Sequence, residues 1–390
     1  MKSAVLFFAK CTFLAISFSI LSSKAEAYAD FIGYGYRNCQ VCHVSSAGGG
    51  MLTDYGRAVF ATEIAGRVPW ITADEETLGQ YSNFLGKKQF PWWMRLGLKY
   101  RSLTAVRSPG SSQSASRYYN MQNDLNVAFF LDKKQTYSLV GTFGYTESAR
   151  AIDPNTLWSS DQYLFSREYY VKYRHSKEYS AYVGMLDKTF GIRNPDHTAN
   201  NRAPIGLGQN DQVHGLLLHR AQSSSDTFFH LWAGNLQAHG DKQRPGGSLM
   251  YEHDLGDMLA IGGEVLHEGN SDSKTTIVAT HAKKGFGSGS SFLGELGYVT
   301  SETTATRSSI YAWTQGHLKI TRGLFFESTG EYTKQDVESL QENLRWTLGF
   351  LWFPIQRIEL RAAIRKTKIL NTPTVEKDQW YYLTQLHLSL

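Results

Sequence analysis

The C-terminal residues of the chain alternate in character from one position to the next. They read Trp380-Tyr381-Tyr382-Leu383-Thr384-Gln385-Leu386-His387-Leu388-Ser389-Leu390. Successive side chains of a β-strand point to opposite faces, so the even-numbered positions share a largely apolar face. Gln385, His387 and Ser389 lie on the other face. This pattern predicts a strand between an apolar and a polar environment.

The same alternation recurs upstream and predicts an all-β fold. Ile358–Arg365 alternates as cleanly, and the high glycine and aromatic content with few prolines suits many paired strands. We predict about sixteen strands on this basis. They lie near residues 93–103, 118–131, 135–147, 165–174, 178–186, 212–220, 225–233, 247–254, 258–268, 275–283, 291–299, 309–320, 323–332, 341–353, 357–367 and 379–390.

The connections between these strands differ in length. Short turns such as Asp132-Lys133-Lys134 and Gly256-Asp257 alternate with mostly longer polar stretches such as 148–164 and 187–211. An exception is 284–290, a Gly/Ser-rich link where a short turn is expected. Short turns alternating with long loops are typical of outer-membrane barrels, in which the turns face the periplasm. An even strand number then returns both ends of the barrel to the periplasm.

Charged residues inside the predicted strands lie opposite apolar neighbours. Glu168, Lys172 and Arg174 share one such face. The others are Glu264, Glu295, Glu327, Glu359, Arg361 and Arg365. In a barrel this face lines the lumen, and we expect its charges to pair with one another. The alternative is that some of them guide ions.

A soluble β-sandwich or propeller would also show alternating strands. The sequence has no blade-length repeat, its connections are asymmetric in length, and its strands continue to the C-terminus. These features favour a closed barrel over residues 91–390, in contact with outer-membrane lipid. We therefore expect a location in the outer membrane of a Gram-negative bacterium.

The N-terminus has the features of a secretory signal peptide. Lys2 precedes the apolar stretch Ala4–Leu21, and Ala25-Glu26-Ala27 fits a small-x-small cleavage site. Residues 1–27 are therefore predicted to be removed, with Ala29 as an alternative end. A membrane anchor is the competing interpretation, but the apolar stretch is short of the roughly 20 residues that span a bilayer.

The charge balance decides little about the function. The chain has 40 Lys and Arg against 35 Asp and Glu, and removal of the signal leaves 37 against 34. A nearly neutral chain is not typical of a nucleic-acid binder or of a strongly acidic electron-transfer surface.

Residues 28–90 carry the clearest chemical motif, Cys39-Gln40-Val41-Cys42-His43. The spacing C-x-x-C-H is the attachment signature of a c-type haem, in which each thiol bonds one vinyl group and the histidine is an axial iron ligand. A redox dithiol would need βαβ surroundings, and a zinc site would need two further ligands. Neither is evident, and the remaining Cys11 lies in the signal. We predict one haem c.

The second axial ligand is less clear from the sequence. Met51 follows the glycine run Gly48-Gly49-Gly50, which could loop its thioether over the ring. Met51 could instead pack against the haem edge, with the sixth position empty or filled by Met94 or a barrel histidine. Arg57, on a short helix that Thr53 or Asp54 caps, could pair with a haem propionate, as could charges in the lumen.

The order of these parts resembles a known family, the fused monohaem cytochrome–porins of iron-oxidising bacteria. The match consists of a signal peptide, a short segment with Cys39, Cys42 and His43, a nearby Tyr55-Gly56-Arg57, and a barrel of about sixteen strands. The resemblance implies an outer-membrane protein that transfers electrons from extracellular ferrous iron to a periplasmic carrier.

We therefore predict a barrel with a small N-terminal haem c plug, residues 28–90, that works as an electron conduit. Its partners would be an extracellular donor such as Fe(II) and a periplasmic cytochrome or other soluble carrier, which would make it an iron(II)–cytochrome c oxidoreductase. One alternative is a transport porin whose haem is structural or sensory. Another is a soluble periplasmic haem enzyme with an open sixth iron position.

Overall fold

The computed structural model describes residues 29–68, 72–88, 90–108, 115–145, 164–196, 198–208, 211–237, 243–371 and 379–390. The predicted signal peptide and its cleavage site before Tyr28 lie outside these residues. So does most of the predicted polar stretch 148–164.

Sixteen antiparallel strands form one closed barrel, in which each strand pairs with its neighbours in sequence and β1 pairs with β16. They are β1 Met94–Ser108, β2 Ala115–Phe130, β3 Tyr137–Tyr145, β4 Leu164–Arg174, β5 Tyr179–Leu186, β6 Val213–Ala221, β7 Ser225–Trp232, β8 Gly246–Asp254, β9 Leu259–Gly269, β10 Lys274–Gly287, β11 Ser290–Glu302, β12 Thr306–Thr321, β13 Leu324–Lys334, β14 Glu342–Ile355, β15 Ile358–Leu370 and β16 Gln379–Ser389. The prediction of an all-β, sixteen-stranded barrel is confirmed. A closed barrel excludes the sandwich and the propeller.

The alternation of side chains separates an outer from an inner wall. In β11, Glu295 is 4% exposed, whereas its neighbour Leu296 is 48% exposed. Large apolar side chains are exposed on the outer wall of most strands, as a lipid-facing surface requires. The inner wall carries charges that pair as expected, for example Glu327 with Arg361 at 3.2 Å.

The two ends of the barrel differ in their connections. At one end, called here the short-turn end, strands are joined by turns such as 222–224 and 322–323. The prediction of a longer link over 284–290 is wrong, because β10 and β11 extend until only residues 288–289 remain between them. The opposite end has longer links, although 270–273 and 303–305 are short as well.

Ahead of the barrel lies the N-terminal segment, defined here as residues 29–68 and 72–88. Its helices are α1 Asp54–Val59, which continues as a π-turn over Phe60–Ile64, and α2 Glu75–Gln80. Short 3₁₀ turns occur at Asp30–Tyr34, Cys39–Val41 and Phe84–Gly86, and a further one at Ala203–Ile205 lies in the link before β6. Thr53 caps α1 as predicted, its Oγ accepting a hydrogen bond from the Gly56 amide at 3.0 Å. Among the described residues, no helix is long and apolar enough to cross a membrane.

The N-terminal segment packs against the inner wall near the short-turn end. Phe31, Val59 and Ile64 form an apolar cluster with Phe325 and Phe353 of β13 and β14. The backbones also approach closely. A Cβ atom at Gly33 would lie 2.3 Å from the Ser290 carbonyl oxygen, so no larger residue fits without a shift.

A loop of the barrel itself also contacts the inner wall. Residues 187–196 and 198–208, called here the inner loop, belong to the link between β5 and β6. The Ile192 amide donates to Glu295 Oε2 at 2.7 Å, and the Asn200 amide donates to Glu331 Oε2 at 2.8 Å. Because Glu295 and Glu331 are inner-wall residues, the inner loop folds into the lumen.

Candidate functional site

The C-x-x-C-H motif begins with a short turn that Asn38, the residue before it, caps. The Oδ1 atom of Asn38 accepts a hydrogen bond from the Gln40 amide at 2.9 Å, which starts the turn Cys39–Val41. The His43 amide then donates to the Cys39 carbonyl at 2.9 Å. The two cysteines are not joined by a disulfide.

A two-stranded contact follows the motif and sets the direction of its side chains. His43 forms an isolated antiparallel bridge with Leu52. The Val44 amide donates to the Met51 carbonyl at 3.0 Å. Because side chains alternate along each strand, His43 and Leu52 share one face and Val44 and Met51 share the other.

Met51 therefore points away from the face of His43. Its side chain is 4% exposed and belongs to an apolar cluster with Val44 and inner-wall residues such as Phe130 and Tyr170. Met51 thus packs against the inner wall, and it also lines the cavity described below. The hypothesis that it ligates iron stays a prediction.

The motif borders a cavity of about 350 Å³ between the N-terminal segment, the inner wall and the inner loop. Cys39, Cys42, His43 and the glycine run Gly48–Gly50 line one side. Inner-wall residues from several strands line the other, among them Lys99, Glu168, Phe228, Met250 and Lys283. The volume falls in the range of pockets that hold small molecules and cofactors.

His43 is placed as a neutral ligand would be. Its Nδ1 atom is buried and has no hydrogen-bond partner. Burial lowers the pKa of His43 to about 3, and the charges of Lys99 and Arg193 act in the same direction, while a backbone contact with Gly49 opposes them. The neutral imidazole is the form that coordinates metals. Burial also raises the pKa of the Cys39 thiol.

Arg57 lines the same cavity, from α1. Its Nη2 atom donates to the Leu96 carbonyl at 2.5 Å, which ties α1 to β1. Asp54 at the start of α1 makes a second tie, to Arg95 at 2.5 Å. The structure thus brings Arg57 to the cavity with Cys39 and His43, and its pairing with a propionate stays a prediction.

Contacts from distant parts of the chain hold the motif against the inner wall, and no motif in the sequence indicates these contacts. Asn38 Nδ2 donates to Asp226 at 2.8 Å. Lys172 donates to the Val44 carbonyl at 2.7 Å, and Lys99 donates to the Gly50 carbonyl at 2.5 Å. Lys172 had been assigned to the lumen face, but no local pattern marks it as a partner of the motif.

Other candidate ligands were the barrel histidines and Met94. His281 and His387 line the cavity. Both are engaged by carboxylates: His281 contacts Glu252 at 2.7 Å and Glu264 at 2.8 Å, and His387 contacts Glu359 at 2.9 Å. Within the described part of the chain, no group of three or more His, Cys, Asp or Glu side chains is arranged to hold a metal ion.

No family model and no curated protein matches the chain. Among solved structures, the chain is similar to outer-membrane expressed OmpT of Vibrio cholerae, with 7% identity and a TM-score of 0.57 over 76% of this chain and 97% of that chain. An anion-selective porin from Comamonas acidovorans gives 11% identity and a TM-score of 0.57 over 76% and 99%. The outer membrane channel DcaP of Acinetobacter baumannii has 13% identity and a TM-score of 0.56, over 76% of this chain and 97% of that chain.

These likenesses define the class of fold. The barrel is similar in fold to the barrels of outer-membrane porins, and an outer-membrane location fits this fold. At such low identities they carry the fold alone, and the chemistry has to be argued from the residues of this chain.

Proposed function

We propose that the protein is an outer-membrane electron conduit that holds a single c-type haem inside a porin-like barrel. Electrons would pass between an extracellular donor such as Fe(II) and a periplasmic cytochrome or other soluble carrier. The main support is that Cys39, Cys42 and His43 face one cavity whose other walls belong to the barrel lumen and the inner loop. This arrangement is what the resemblance to monohaem cytochrome–porins leads one to expect.

The residues present fit a covalently held haem. The thiols of Cys39 and Cys42 are unpaired with each other, and each can add across one vinyl group, its hydrogen moving to the vinyl carbon. His43 offers a buried nitrogen without a hydrogen-bond partner. A haem c bound here would supply one-electron redox chemistry.

The chain itself attaches, orients and shields such a group. Asn38, Lys172 and Lys99 anchor the turn that carries the motif to three different strands. Val44 and Met51 pack against apolar residues of the inner wall, which would shield one side of such a group. The residues 28–90 would then act as a plug, as the sequence predicts.

A barrel is a useful place for such a group. The apolar band of an outer membrane is about 25 Å tall, which is too far for one fast electron-transfer step. A redox centre in the lumen divides this distance, and the barrel wall insulates it from lipid. In this reading the protein is an iron(II)–cytochrome c oxidoreductase.

The first test is attachment. The full-length precursor would be produced in a host that matures c-type cytochromes, and haem would be detected by in-gel staining and by the absorbance of isolated outer membranes. We expect covalent haem in the wild type, and none in a Cys39→Ala, Cys42→Ala double variant that still forms the barrel. A wild type that carries no covalent haem would overturn the proposal.

The second test is electron transfer across a membrane. The purified protein would be inserted into vesicles that enclose ferricyanide, with Fe(II) added outside. We expect ferricyanide to be reduced faster than in vesicles with the double variant. Equal rates in the two preparations would exclude the conduit, even with haem attached.

The fold supports a second function, a transport porin in which the haem is structural or sensory. The similar structures include an anion-selective porin and an outer membrane channel. The inner wall of this chain carries charged residues, which suits the passage of polar solutes. Single-channel conductance in planar bilayers separates the two functions. Steady solute-selective conductance with no Fe(II)-dependent electron transfer would favour the porin.

A further inference from the structure

One arginine of the inner loop, Arg193, lies beside the haem motif. Arg193 follows Ile192, whose amide is held by Glu295 of β11. The side chain of Asn201 also donates to Glu295, at 3.2 Å, so both halves of the loop are fixed to the same inner-wall carboxylate. Arg193 thereby extends from an anchored backbone into the cavity, where it forms an ion pair with Asp187.

The glycine run is the surface on which Arg193 lies. A Cβ atom at Gly49 would be only 2.5 Å from both Cζ and Nη2 of Arg193. One at Gly48 would be 3.3 Å from Cys39 Sγ and 3.8 Å from Arg193 Cδ. Gly48 and Gly49 also have φ values of +80° and +71°, which side chains rarely adopt. The run therefore leaves room for Arg193 directly beside the attachment cysteine.

Arg193 also places a positive charge in the cavity that His43 lines. Lys99, a second cation in the wall of this cavity, donates a hydrogen bond to the Gly50 carbonyl at 2.5 Å. In a buried setting such charges interact more strongly than in water. Ferric haem carries one more positive charge than ferrous haem, so a fixed cation beside it favours the ferrous state.

We propose that Arg193 is a positioning residue of the haem site, which clamps the glycine run against the inner loop and raises the midpoint potential of the haem with its charge. This inference rests on the proposed function, since it requires haem at Cys39 and Cys42. It also links the inner loop, which belongs to the longer-loop end of the barrel, to the redox behaviour of a motif on the N-terminal segment. Asp187, as the ion-pair partner of Arg193, has the opposite effect on the potential.

The test is a spectroelectrochemical titration of the intact, haem-loaded protein in detergent. Arg193→Gln removes the charge, and we expect the ratio of ferrous to ferric haem at a fixed applied potential to fall about tenfold, which is about 59 mV for a one-electron couple. Arg193→Lys keeps the charge, and we expect it to stay within about threefold of the wild type. Asp187→Asn removes the negative partner, and we expect a shift in the opposite direction to that of Arg193→Gln.

A matched control separates charge from loop displacement. Arg345 also contacts the inner loop, through the Thr198 carbonyl at 2.6 Å, and we expect Arg345→Gln to leave the potential unchanged. Potentials of Arg193→Gln and Asp187→Asn equal to the wild type would overturn the inference while leaving the proposed function intact. If Arg193→Gln does not form the barrel, Asp187→Asn decides the matter by itself. Absence of haem in the wild type would instead overturn the proposed function.

Discussion

Replacing Gly56 with alanine should push α1 away from the haem motif. A Cβ atom at this position would lie 2.4 Å from the carbonyl oxygen of Cys42 and 2.8 Å from its Cα atom. Both are backbone atoms, so no rotation of a side chain relieves the contact. The close approach of helix and motif thus depends on the absence of a side chain at Gly56.

The size of the effect follows from two opposing contributions. Overpacking typically costs about 1–3 kcal/mol, and a backbone contact of this kind belongs at the upper end. Alanine is a better helix former than glycine by about 1 kcal/mol. The net loss in the local opening free energy is therefore about 2 kcal/mol, which raises the population of the opened segment about 30-fold.

Hydrogen exchange of the intact protein measures this opening directly. The Thr53 amide, which donates to the Cys42 carbonyl at 2.8 Å, and the Arg57 amide, which donates to the Thr53 carbonyl at 3.0 Å, report on the contact. Gly79→Ala in α2 is the control, because its Cβ atom would meet only the Thr62 methyl group at 3.3 Å and a more distant side chain. Protection in Gly56→Ala equal to that in the control would refute the reasoning.

Three further predictions concern the barrel and the inner loop. Leu348→Arg is expected to lower the free energy of unfolding in vesicles by about 2–4 kcal/mol, because Leu348 lies in the middle of β14 with its side chain exposed on the lipid face. An unchanged free energy of unfolding in a denaturant titration would contradict that orientation. His281→Ala is expected to cost about 3–5 kcal/mol in the same assay, because it leaves the buried Glu264 carboxylate without this partner, although Glu252 keeps Lys283 at 2.6 Å. The exposed His267→Ala should cost far less. Asp196→Asn is expected to loosen the inner loop by about 1.5–3 kcal/mol, since its charge-assisted hydrogen bond to Arg365 at 2.5 Å is lost. Burial favours a raised pKa at Asp196, but the Arg365 guanidinium holds the pKa well below its usual range. The wild-type tether is therefore present above pH about 4 and lost only as the pH falls through the lowered pKa. Limited proteolysis at pH 7 and pH 5 should cleave the loop in the variant alone, and cleavage of the wild type at pH 5 would count against the ion pair.

The strands were predictable because their pattern is local. In β16, Trp380 and Tyr382 are exposed on the outer wall and His387 is buried on the inner wall, as the alternation indicated. Lipid on one side and a polar lumen on the other impose a period of two wherever the inner face of a strand is polar. The strand residues within 284–290 were predicted as a link because Gly285 and Gly287 have no side chains that show the period of two. Both glycines pair with β11 through their backbones.

One feature of the sequence indicates that the N-terminal segment lies inside the barrel. Residues 348–353 and 324–326 are apolar on both faces apart from Gly349, which a strand between lipid and water does not require. In the structure Phe325, Leu351 and Phe353 face inward and pack on the N-terminal segment. Apolar side chains on the lumen face of a barrel strand thus indicate that another element covers it.

Some residues of the candidate site could be identified from the sequence, and others only from the structure. Cys39, Cys42 and His43 are adjacent in sequence, so their chemistry was readable without any fold. Likewise, the alternation within the strands, the unequal lengths of their connections and the lack of a blade-length repeat were enough to predict the barrel. Only the tertiary structure placed Lys99, Lys172, Arg193 and Asp226 around the motif, because these contacts depend on closure of the barrel and on the inward course of the loop after β5. Residues that are far apart along the chain and marked by no shared local pattern come together through long-range packing, which the sequence alone does not display.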